Sequence, residues 1–202
     1  MIMTRAKIII CPGIHSPQLT DNFIQSLESL ADFTLSSYLV LPTQKYSAYS
    51  PFDIREFLRQ NLAQPSPSMP LIFLAFSAGV VGAIGAANIW QLSGGKVTAL
   101  IACDGWGVPL MGNFPIYRVS HDYFTHWSSG LISFSQDSFY AQPDVTHLDL
   151  WRWPHTAWGW WEKPSGLKVY TNAAEFIKKL INQMDKQLES DYDYGKIRKI
   201  NR

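Results

Sequence analysis

The chain has 202 residues, 47% of them hydrophobic and 16% charged, with a formal net charge of +1. That length suits one domain, and the apolar content is ample for a core and too high for a disordered chain. The near-neutral balance excludes a strong field that would steer the chain to nucleic acid or an anionic membrane.

In chain order, strand-like and helix-like blocks alternate. Lys7 to Cys11 is a short apolar run that ends in the turn signal Pro12-Gly13. Thr20-Asp21 opens a helix to about Leu30, with Phe23, Ile24, Leu27 and Leu30 on one face. Phe33 to Leu41 reads as a second strand stopped by Pro42. Ser50-Pro51 opens a helix through Leu62. After a Pro/Ser-rich loop, Leu71 to Phe76 is an unbroken apolar strand, as a central parallel strand requires. A helix from Gly79 to Gln91 ends at Ser93-Gly94-Gly95. Val97 to Cys103, Pro115 to Ser120 and Val145 to Leu150 read as strands four, five and six. A last helix spans Asn172 to Leu188, and residues 191–202 read as a polar tail. This pattern predicts a single α/β domain over 1–190: a three-layer sandwich with a mostly parallel sheet of about six strands.

Several features are weighed and set aside. From Leu71 to Trp90 there is no charged residue, long enough to raise a membrane span. A strand-like first half and a Gly-rich second half argue instead for a buried strand leading into a buried helix. Gly79, Gly82 and Gly85 have the wrong spacing for a dinucleotide fingerprint. No metal-ligand spacing or cofactor motif appears. Cys11 and Cys103 read as buried thiols, although a disulfide between them stays open. Met1 to Lys7 is too quickly polar for a signal peptide, so the expected location is cytoplasmic.

The chemistry gathers around Leu74-Ala75-Phe76-Ser77-Ala78-Gly79. A strand runs directly into a serine and then into a small-residue helix. A nucleophile on so tight a turn needs small residues two positions before and after it, and Ala75 and Gly79 stand there. The segment resembles the nucleophile elbow of the α/β-hydrolase family, G-x-S-x-G, with Ala75 in place of the first Gly. The resemblance implies a serine hydrolase that cleaves a carboxylic ester, thioester or amide through a Ser-His-Asp triad. The alternative is a non-catalytic binding protein on the same fold.

The family's chain order is Ser, acid, His. It points to Ser77 as nucleophile and to His155, in Trp153-Pro154-His155-Thr156, as base. Asp122, past the fifth strand, is the preferred acid, and Asp104, at the end of the fourth, is the alternative. His121 precedes the preferred acid and fits the order poorly. The resemblance implies an oxyanion hole formed by the backbone N–H of Ala78 and of Ile14 or His15 in the loop after the first strand, where Gly13 permits close approach. Trp106, Trp153 and Trp158 are candidate walls of a pocket for a small ester-like substrate. The loop from Gly105 to Phe114 is too short for a lid domain, so an open site is expected, with Thr125 to Asp144 free to fold over it.

Overall fold

The computed structural model describes residues 5–35, 37–130 and 136–200, with side chains through Tyr192. The first strand, β1 (Lys7–Cys11), is followed by α1 (Pro17–Glu28), β2 (Tyr38–Val40), α2 (Pro51–Asn61) and β3 (Pro70–Phe76). Next come α3 (Ala78–Leu92), β4 (Lys96–Cys103), β5 (Ile116–Ser120), α4 (Tyr123–Gly130) and β6 (Ser138–Ala141). The chain then forms α5 (His147–Arg152), β7 (Trp158–Glu162), β8 (Lys168–Asn172) and α6 (Ala173–Ile200).

All eight strands join one sheet in the order β2-β1-β3-β4-β5-β6-β7-β8. The first six strands run parallel, and β7 and β8 add an antiparallel edge. Side chains on β3 alternate between two cores. Ile72, Leu74 and Phe76 pack with Phe23 of α1 and Phe176 of α6. Leu71, Phe73 and Ala75 pack with Ile54 of α2 and Ala83 of α3. Burial on both faces is why β3 reads as an unbroken apolar run. Each fully buried Leu, Ile or Phe of this strand stabilises the fold by about 1.5–3 kcal/mol.

The mostly parallel α/β sheet matches expectation, but it has eight strands rather than about six. The two antiparallel strands were hidden in the Trp-rich run and in the segment after it. The residues Val145 to Leu150, expected as a strand, contain the start of helix α5. Thr146 Oγ1 accepts the Asp149 N–H at 3.2 Å, and this cap overrides an apparent apolar alternation. The true sixth strand is Ser138–Ala141, inside what reads as a loop. β2 is shorter than Phe33 to Leu41. Helix α6 continues to Ile200, through most of the segment expected to be a polar tail.

Both cysteines are buried and free. Cys11 pairs in register with Ala75, and Phe76 pairs with Cys103, so the thiols sit two strands apart. That is about 10 Å across the sheet. They also belong to opposite cores, so no disulfide can join them. Among the described residues, no helix is long and apolar enough to cross a membrane.

The chain reverses direction across the sheet between β1 and β3. Their carboxyl ends therefore flank the crevice where an open parallel sheet binds ligands. Gly79 closes one side of it. A Cβ there would stand 2.2 Å from the Cys11 carbonyl oxygen and 2.5 Å from that of Pro12. Both are backbone atoms, so Gly79→Ala must push the loop after β1 away from the elbow. The expected loss is about 1–3 kcal/mol or more, read as a lowered Tm in thermal denaturation.

Candidate active site

Ser77 joins β3 to α3 with φ 53° and ψ −124°, a left-handed conformation for a residue with a side chain. Such a geometry costs about 1–3 kcal/mol and persists only where the surroundings impose it. The Ser77 N–H donates to the Cys103 carbonyl at 2.9 Å, and the Ser77 carbonyl accepts the Val80 N–H at 3.0 Å. Gly13 lies against the same turn; a Cβ on it would stand 3.0 Å from the Ser77 Cβ. The strained serine is thus clamped between its neighbouring strand and the loop after β1. Its hydroxyl caps no helix N–H.

One strand along, Asp104 ends β4 with φ 50°, also left-handed, and is only 5% exposed. Its Oδ1 accepts the His121 backbone N–H at 2.9 Å. Its Oδ2 lies 2.8 Å from His147 Nδ1 and 2.9 Å from His121 Nδ1. The His147 contact is a hydrogen bond. The His121 contact is short but off the line of one, leaving that ring nitrogen buried without a hydrogen-bond partner. A carboxylate only accepts, so Nδ1 of His147 carries the proton of this bond. His121 Nε2 is 3.1 Å from Asp122 Oδ2.

His147 is held in place by a column of rings. Phe76, the residue before the serine, stacks on His147 at 4.6 Å and on Trp151 at 5.0 Å. Trp151 stacks in turn on Phe23 at 3.7 Å. His147 and Trp151 are one helical turn apart on α5, so one apolar face both anchors the helix and aims the imidazole. Ser77, Asp104, His121 and His147 line one cleft of about 510 Å³, with Trp106 and Phe124 on its wall.

Electrostatics support the grouping. Burial pushes the Asp104 carboxyl up, and the His121 and His147 imidazoles more than offset this, holding it below its ordinary 3.8. The Asp104 carboxylate raises His121 above its ordinary 6.5. The lowered Asp104 adds stability above pH 3.8, which is lost as pH falls through its folded value. The raised His121 adds stability below pH 6.5, which is lost as pH rises through its folded value. Wild-type Tm should therefore fall as pH climbs past 6.5, and His121→Gln should flatten that alkaline limb. Thermal melts across the range check this; an unchanged limb in the variant contradicts it.

The expected site residues divide. Ser77, Ala78, Trp106 and the alternative acid Asp104 line the cleft. Asp122, the preferred acid, instead accepts the Thr125 N–H at 2.6 Å near the start of α4 and touches His121. His155 does not line the cleft. Its ring packs edge-on against Trp153, and it is followed by two further strands rather than by the last helix. Trp153 and Trp158 also lie off the cleft wall, the latter stacked on Tyr170. Ile14 is 75% exposed beside the elbow, and the His15 ring faces Phe76 at 5.7 Å.

His147 escaped notice because it sat in a run read as a strand. Thr146-His147-Leu148-Asp149 carried the signal, a Thr-x-x-acid helix start. Chain order fits His121 poorly, yet the fold places it against Asp104.

A scan against protein-family models finds no match to this chain, and neither does a search of curated proteins. One cleft holds a serine at a helix N-terminus, the His147 imidazole and the buried Asp104 carboxylate that accepts from it. Asp104, His121 and His147 also each offer a metal-ligand atom, all within 4.8 Å of one another. A divalent cation bound through His147 Nδ1 would displace the proton that this nitrogen gives to Asp104, so that mode of binding and the hydrogen bond exclude each other.

Proposed function

We propose that the protein is a serine hydrolase acting on a carboxylic ester or thioester, with Ser77 as nucleophile, His147 as general base and Asp104 as the orienting acid. The observation that carries this reading is the 2.8 Å bond from His147 Nδ1 to buried Asp104, in the cleft that also displays the strained Ser77. The order Ser, Asp, His along the chain agrees with the α/β-hydrolase resemblance.

In this scheme Ser77 Oγ attacks the carbonyl carbon while His147 Nε2 takes its proton. Asp104 holds the ring in the Nδ1–H tautomer and stabilises the imidazolium. The carbonyl oxygen gains the negative charge, met by the Ala78 N–H at the start of α3 and by an N–H from the loop at Ile14 and His15. His147 then gives its proton to the leaving oxygen or sulfur, whose bond to the acyl carbon breaks. Water attacks the acyl-serine, gives a proton to His147, and the acid leaves as Ser77 regains its hydrogen. Val81, Trp106 and Phe124 at the cleft are 43%, 63% and 63% exposed, an apolar wall suited to an uncharged acyl or aryl group.

A covalent intermediate has a kinetic signature. Rapid mixing with p-nitrophenyl acetate should release a burst of nitrophenol approaching one equivalent per protein chain, followed by slower turnover. The burst should survive EDTA. No hydrolysis by the folded protein, or activity that EDTA removes, contradicts the reading.

A further inference from the structure

A second cleft, of about 450 Å³, lies on the other side of α4 from the Ser77 cleft. Tyr123, His126 and Trp127 of α4 face it, and Phe124 and Thr125 face the Ser77 cleft. Arg118 of β5 lines it and is only 8% exposed. Its Nη1 donates to the His126 carbonyl at 2.9 Å, and its Nε is buried with no partner. Among the described residues, no carboxylate comes within the 4.0 Å of an ion pair with it.

Among the described residues, the one acid that lines the cleft is already engaged. Glu162 Oε1 is 3.6 Å from Lys168 Nζ, and Glu162 Oε2 is 3.2 Å from His126 Nε2. Burial, with Arg118 next, pushes His126 down to about 4, so this ring is neutral at pH 7 and adds no charge. Arg118 and Lys168 therefore face a single carboxylate, and Lys163 adds a third cation at the rim. The carbonyl end of α4 offsets only part of the excess. A buried guanidinium without a counter-ion is costly, and it is ordinarily met by an anion.

We propose that this cleft binds the oxyanion group of a small organic ligand, with Arg118 as the anchor and Lys168 as the second cation. The guanidinium fork matches two oxygens of a carboxylate or phosphate. Tyr123 and Trp127 beside it fit an aromatic or alkyl body on the ligand. Because binding here does not involve Ser77, it stands or falls apart from the hydrolase reading.

The test is calorimetric titration of the whole chain with benzoate and with phenyl phosphate, against sodium chloride at equal ionic strength. Saturable one-to-one binding of either is expected, weakened at least tenfold in Arg118→Met. The two ligands separate carboxylate from phosphate preference. The Met variant should melt no lower than wild type, because it removes an uncompensated buried charge. Heats equal to those of chloride, or undiminished affinity in a folded Arg118→Met, would overturn the proposal. Should that variant not fold, Lys168→Ala, on a half-exposed side chain, carries the test: affinity should fall at least threefold, and unchanged affinity overturns it.

Discussion

His147→Gln should lower kcat/KM for a p-nitrophenyl ester by at least about 10⁴-fold, and His155→Gln by less than about threefold. The contrast follows from placement. His147 lines the cleft that displays Ser77, and its Nδ1 is 2.8 Å from Asp104 Oδ2. His155 packs on Trp153 and lines no part of that cleft. A 10⁴-fold loss is about 5.4 kcal/mol of transition-state stabilisation, far beyond what a displaced surface ring would cause. Glutamine retains a polar side chain of similar reach at the first position of α5, so helix and ring column should survive. The check is steady-state kinetics on both purified variants beside a circular dichroism spectrum. Equal losses in the two, or a loss only in His155→Gln, would remove His147 from its role.

Asp104→Asn should cost about 10³- to 10⁴-fold in kcat, and Asp122→Asn far less. The reason lies in the tautomer. An amide nitrogen at the Oδ2 position donates, so His147 Nδ1 would have to accept and its proton would move to Nε2. That nitrogen could then take no proton from Ser77. Asp104 also carries the charge that raises His121, so the same change should weaken the alkaline loss of stability described above. Asp122 touches only the far nitrogen of His121 and caps the turn into α4, which predicts a modest effect. Measuring kcat separately from KM separates the two roles: a rise in KM at unchanged kcat in Asp104→Asn would point to binding rather than to base orientation.

The elbow was legible in the sequence because its constraints are local. A tight turn demands Ala75 and Gly79 where they stand, and β3 announces itself by uninterrupted apolarity. The parallel core was legible for the same reason, since burial on both faces erases alternation. What failed was the far side of the sheet. Val145 to Leu150 alternates like a strand, and only the Thr146 cap shows that α5 starts there. β7 carries three tryptophans in five residues and reads as a pocket loop, while its rings lie along an antiparallel edge. Both differences bear on the choice of base, His155 by chain order or His147 by its place in the fold. The choice of acid turns on a different point. Asp104 and Asp122 each follow a strand, and only tertiary packing shows which is buried with two imidazoles converging on it. His121 sits between them in space, a relation chain order could not reveal.

Under the proposed function, Ser77 is a nucleophile activated through His147. A fluorophosphonate probe reacts with such a serine and leaves a stable adduct whose position peptide mass mapping can find. One adduct, on Ser77, is expected in the wild-type chain and in His155→Gln, and none in Ser77→Ala or His147→Gln. A folded wild-type chain that takes up no probe, or an adduct on any other residue, would contradict it.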